Sequence, residues 1–182
     1  MTKVLNKPTI KIKTLITVSA IALSVALPQL FHFIGFLSGT GAAAGAAFLP
    51  MHLPVLLAAF IGGPVVGFIA GIASPLISFL ISGMPAAALL PFILMELSAY
   101  GIAGGFLSKT RIPDFGKLLL AQVAGRIIRI GAVLCAFYLF GMQSVQVSQI
   151  WTIIITGLPG ILLQWAFIPL ILYRLRGIKK HG

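Results

Sequence analysis

Apolar residues run along this chain in long, nearly unbroken blocks, and prolines and glycines set the breaks between them. One stretch, residues 48–67, reads FLPMHLPVLLAAFIGGPVVG and organises the rest. Pro50 and Pro54 flank Met51 and His52, an apolar run too short for an ordinary span follows, and it stops at Gly62, Gly63 and Pro64, where another begins. Proline removes a backbone donor and biases the preceding residue away from helix, so the paired prolines predict a chain entering a helix from irregular backbone. Irregular backbone survives at membrane depth only where protein or a watery cavity satisfies its polar groups. The stretch is therefore predicted to border an internal cavity.

The same pattern predicts helices over about residues 12–30, 51–61, 64–81, 86–107, 115–140 and 150–173. Pro28 is expected to end the first of them. Residues 31–49, FHFIGFLSGTGAAAGAAFL, read as a long outer loop between helices one and two that dips back into the protein. Ser82, Gly83, Met84 and Pro85 form a turn, Lys109, Arg111, Pro113 and Asp114 a charged connection, and residues 141–149 a polar turn with three glutamines.

Composition sharpens this into a class. The chain is 59% hydrophobic and 8% charged, with a mean hydropathy of +1.12, and several runs reach the ~20 residues needed to cross ~30 Å of hydrocarbon. The expected fold class is an all-α integral membrane protein, one domain over 1–182 with six transmembrane helices. A net charge of +11 would raise the question of nucleic acid in a soluble protein. Here the basic residues cluster in the N-terminal tail (Lys3, Lys7, Lys11, Lys13), around the 108–116 connection and at the C-terminal end (Arg174, Arg176, Lys179, Lys180), with Arg126 and Arg129 inside a span. Short loops rich in Lys and Arg stay in the cytoplasm, so both termini are expected there and the partner is the bilayer, not nucleic acid. The first apolar run is long for a signal peptide and is expected to be retained as a helix. Cys135 stands alone, which excludes a disulfide or a thiolate metal site within one chain.

Little is present for catalysis. Glu96 and Asp114 are the two acids, too few for paired-carboxylate chemistry beside a basic loop. No phosphate loop, HExxH, CxxC or GxSxG occurs, and His32, His52 and His181 are scattered, so neither enzyme activity, metal nor cofactor is expected. Glu96, Arg126 and Arg129 matter more, because ionisable residues within spans are costly and face a partner or a cavity. At ~1.5 Å per residue, Glu96 lies ~15 Å, Arg129 ~18 Å and Arg126 ~22 Å from the outer ends of their helices, with Gln164 at about the depth of Arg126. One reading is a Glu96 to Arg pair fastening two helices. In the other, one carboxylate cannot neutralise two guanidiniums, and the surplus charge favours an anionic group on a ligand. Candidate substrate-binding residues are then Phe48, Met51, His52, Met84, Glu96, Arg126, Arg129, Trp151 and Gln164. Trp151 also fits an interface anchor, and the Phe31, Phe33, Phe36 cluster fits loop packing. Small residues at Ala59, Gly63, Gly67 and Gly71, at Gly101 and Gly105, and at Ala22 and Ala26 allow close helix approach.

LPMHLPVLLAAF opening the short second helix, GGPVVGFIAG, the SGMP turn, MELSAYGIAGG and GRIIRIG, taken in order, resemble the substrate-specific S components of energy-coupling factor (ECF) vitamin transporters, over roughly residues 12 to 174. The resemblance implies a multi-pass subunit of the bacterial plasma membrane that binds a vitamin or vitamin precursor from outside and hydrolyses nothing. It implies partners as well: a membrane T subunit and two cytoplasmic ATPase subunits. The family's AxxxA docking motif matches Ala22 and Ala26. The LPMHLPV and GRIIR segments look most like pantothenate-type members, and cobalamin or another vitamin stays open. A small membrane enzyme acting on a lipid or isoprenoid and a self-sufficient secondary transporter are the other classes.

Overall fold

The computed structural model describes residues 9–39, 43–142 and 148–181, and these are helical throughout apart from short turns. Lys3, Lys7, residues 40–42 of the outer-loop stretch and residues 143–147 of the polar turn lie outside the described residues. The elements in order are α1 (Ile10–Leu37), α2 (Ala43–Phe48), α3 (His52–Gly62), α4 (Pro64–Ser82), α5 (Leu90–Leu107), α6 (Asp114–Tyr138), α7 (Ser148–Thr156) and α8 (Leu158–His181). Five helices among the described residues are long and apolar enough to cross a membrane: α1, α4, α5, α6 and the Leu158–Leu175 part of α8. The protein is thus a multi-pass membrane protein, with outward-facing side chains such as Leu15, Phe36, Leu80, Phe106, Ile127 and Leu162 supplying the lipid-facing surface.

Three expected boundaries are corrected. Helix one does not stop at Pro28 but continues to Leu37, with Pro28 buried inside it. Neighbouring helices can hold a proline within a membrane helix, and here Ser24 Oγ, one turn earlier, donates to the Met51 carbonyl at 3.2 Å and ties this turn to α3. The long outer loop of 31–49 consequently shrinks, since its first third is helical and α2 occupies its end. The fourth predicted helix starts at Leu90 rather than 86, with Pro91 in its first turn, where a missing N–H is harmless. The sixth is broken into α7 and α8 at Gly157, with Pro159 in the first turn of α8, where its missing N–H is harmless.

The tightest seam joins antiparallel α4 and α5. A Cβ on Gly67 would lie 2.5 Å from the Gly101 carbonyl oxygen, and one on Gly71 2.5 Å from that of Leu97. Only glycine permits that approach, so these small-residue repeats are consumed in packing within the bundle. Ala22 and Ala26 differ, since both are exposed on the outer face of α1.

α3 determines where space is left. Its 11 residues rise only ~16 Å against ~28 Å for the 19 of α4. At its far end Gly63, at φ +92°, turns the chain into Pro64, which packs on Gly105 at the C-terminal end of α5. Its near end, at His52, therefore stops at mid-depth, and the other half of its column is left to other residues and to a cavity.

Candidate functional site

The cavity that fills the unoccupied half has a volume of about 330 Å³. Its walls come from the C-terminal part of α1 (Pro28, His32), the chain before α3 (Gly45, Leu49, Pro50), the end of α4 (Ser78), the turn with Met84 and Pro85, the start of α5 (Leu89, Ile93) and Thr156 of α7. Met51, His52 and Arg129 complete the lining, which is mostly apolar. Leu49 reaches its position with a positive φ of 46°, an uncommon conformation for a branched side chain and one that fits a chain forced round a tight corner between α2 and α3.

Beneath the apolar walls lies a buried ionic cluster. Glu96 projects from α5 with no exposed surface. Arg129 Nη1 donates to Glu96 Oε2, Tyr100 Oη donates to Oε1 at 2.8 Å, and Arg126 Nη1 stands 3.2 Å from Oε1. His52 Nε2 is 3.7 Å from Oε2, and its ring packs on Tyr100 with centroids 5.5 Å apart. Both arginines meet Glu96 because 126 and 129 are one turn apart on α6 and share a face. The assembly is close because Gly125 admits the Tyr100 ring against the α6 backbone.

Two observations show that the cluster is incompletely matched. One carboxylate opposes two guanidiniums, which leaves one positive charge over. Among the described residues, several buried polar atoms also have no hydrogen-bond partner: Arg129 Nε, Arg126 Nη1 and Nη2, both ring nitrogens of His52, and Ser78 Oγ. Buried polar groups are normally satisfied, and an orphaned one marks strain or an unfilled binding function. Arg129, His52 and Ser78 border the cavity. An apolar chamber with a few convergent donors and a surplus positive charge suits a small molecule with an anionic group.

The nine sequence-predicted residues separate as follows. Met51, His52, Met84 and Arg129 line the cavity, and Glu96 underlies it through Arg129. Arg126 faces a separate crevice with Ile130, Val133, Ile150 and Ile154. Phe48 is not on the wall; its ring stacks on Phe31 at 5.1 Å, which fixes α2 against α1. Trp151 is 69% exposed and also lies outside the wall. Gln164 is placed one turn deeper than expected, beside Gln122: Gln122 Nε2 donates to Gln164 Oε1 at 2.9 Å, and Trp165 Nε1 donates to Gln122 Oε1 at 2.7 Å. That trio joins α6 to α8 some 10 Å below Arg129, given the seven-residue offset along α6.

Sequence reasoning missed His32, Pro28, Ser78, Leu89 and Ile93. A signal existed for some of them, since Ser24, Pro28 and His32 recur every four residues, as one helix face requires. It was hidden by the assumption that Pro28 ended the helix. Among the described residues no group of three or more His, Cys, Asp or Glu could hold a metal ion. Comparisons of the chain with known protein families, with characterised proteins and with solved structures find no match.

Proposed function

We propose that the chain is a substrate-binding S component of an ECF-type importer, taking a small vitamin or vitamin precursor from outside the cell and working with a membrane T subunit and two cytoplasmic ATPases. The observation that carries this reading is the apolar cavity of about 330 Å³ floored by Arg129 and His52 over a cluster with one unbalanced positive charge. That volume lies near the lower end of the ~300–1,000 Å³ usual for small-molecule sites. It favours a compact carboxylic acid such as pantothenate over a molecule the size of cobalamin. The carboxylate would meet Arg129, whose planar fork is suited to it.

Counting α3 as a half-length return, the helices thread the membrane six times. The basic residues Lys11, Lys13, Lys109, Arg111 and Arg174 then share one side with both termini. By the positive-inside rule that side is the cytoplasm, here of a bacterial plasma membrane, and the cavity opens outward. Ala22 and Ala26, exposed on α1 while the bundle's glycine repeats are used internally, fit a docking face for the T subunit.

The test is equilibrium binding of radiolabelled pantothenate to the purified protein in detergent, with mass spectrometry of any small molecule that leaves with it. The expected result is one-to-one binding that Arg129→Ala abolishes while the variant keeps its unfolding temperature within a few degrees. Absence of any bound or co-purifying vitamin from a panel would sink the reading. Uptake into vesicles holding this chain alone, without ATPases, would replace it with a self-sufficient transporter.

A further inference from the structure

Arg126 is not explained by a ligand in the large cavity. It lines a second, smaller space between α6 and α7, walled by Ile130, Val133, Ile150 and Ile154 and shared with Arg129. Its Nη1 is 3.2 Å from Glu96 Oε1, yet neither Nη1 nor Nη2 makes a hydrogen bond although both are buried. Glu96 Oε1 already accepts from Tyr100, and Oε2 from Arg129. One carboxylate is thus shared between two guanidiniums, and Arg126, whose Nη atoms are buried beside isoleucines and a valine, is only partly compensated. A partly compensated guanidinium in such surroundings is unfavourable.

The space open to the centre of a water-sized sphere in the crevice is about 10 Å³, which leaves room for one ion slightly larger than water. A carboxylate-bearing organic molecule does not fit there, whereas a monatomic anion does. Arg129 borders both spaces, so an anion in the crevice and one in the cavity draw on the same surplus charge.

We infer that a halide of chloride's size occupies the crevice against Arg126 in the ligand-free protein and leaves when an anionic ligand binds at Arg129. Resting on the reading of the cavity as a carboxylate site, this adds that binding is an exchange of one anion for another. The single surplus charge accommodates one monoanion at a time, so the two are antagonistic by linkage.

The experiment measures pantothenate binding at fixed ionic strength while chloride replaces isethionate, which is too large for the crevice and carries no carboxylate. The expected outcome is an affinity that falls about tenfold for each tenfold rise in chloride once chloride saturates its site, as release of one ion requires. In the ligand-free protein chloride should raise the thermal midpoint relative to isethionate, and Arg126→Gln should lose that rise. If Arg126→Gln does not fold, anomalous diffraction from bromide-grown crystals of the wild-type protein locates the ion directly. A bromide peak in the crevice supports the inference, and its absence overturns it. Pantothenate affinity independent of chloride overturns the exchange while leaving the proposed function standing. Failure of pantothenate and every other vitamin acid to bind at any chloride concentration overturns both.

Discussion

Gly125 is where one added methyl group should disrupt the ionic cluster without touching a charged residue. A Cβ at this position would overlap the edge of the Tyr100 ring and lie 3.0 Å from the Glu96 carbonyl oxygen. Tyr100 is 2% exposed and has nowhere to retreat. To make room the ring must swing away, and the 2.8 Å bond from its hydroxyl to Glu96 is lost. A hydrogen bond to a charged group contributes ~1.5–3 kcal/mol, and overpacking costs ~1–3 kcal/mol. The better helix propensity of alanine returns only ~0.5–1 kcal/mol. Gly125→Ala is therefore expected to destabilise the protein by about 2–5 kcal/mol. Gly131 supplies a control on the same helix, because nothing lies within 4 Å of a Cβ built there. Gly131→Ala should be neutral or stabilising by up to ~1 kcal/mol. Unfolding of both variants in detergent, followed by circular dichroism against added dodecyl sulfate, gives the comparison. Equal stability of the two, to within ~0.5 kcal/mol, would refute the reasoning.

Two further outcomes follow from the same contacts. Glu96→Gln leaves two buried guanidiniums unbalanced and should cost ~3–5 kcal/mol; adding Arg126→Gln should recover part of that loss, and additive effects in the double-mutant cycle would show that the two residues are not coupled. On the proposed function, replacing Ala22 and Ala26 with leucine, both facing outward from α1, should leave pantothenate binding intact and block uptake by the proposed complex with the T subunit and ATPases; unimpaired uptake would remove that face from any docking role.

Much of the architecture was legible because apolar run length and glycine spacing translate directly into membrane physics. The short third element, the Gly62 to Pro64 turn and the charged 108–116 connection stand where the pattern put them. Helix rise put Glu96 and Arg129 at similar depth, whereas Arg126, read as one turn deeper, reaches the same carboxylate as well. What misled was proline. Pro28 reads as a stop in isolation, yet it is held inside a continuous helix by packing and by the Ser24 tie to α3, which no local rule contains. Pro159, with the same local rule, does begin a new helix. The cavity wall was harder still, since Ser78, Leu89 and Ile93 are ordinary residues whose importance arises from where α3 stops. Depth counting also put Gln164 too near Arg126, because the break at Gly157 offsets α8 relative to one straight helix.

The truncated third helix also separates two properties that most bundles entangle. Its fixed end is wedged among glycines at one face, whereas its free end sets the depth of the chamber's floor. Removing one turn from the free end would deepen the chamber by about 5.4 Å, and inserting one would plug it, with the glycine seam undisturbed in either case. A lineage could resize the chamber by editing a handful of codons there, and the scaffold that holds everything else would not have to be reinvented.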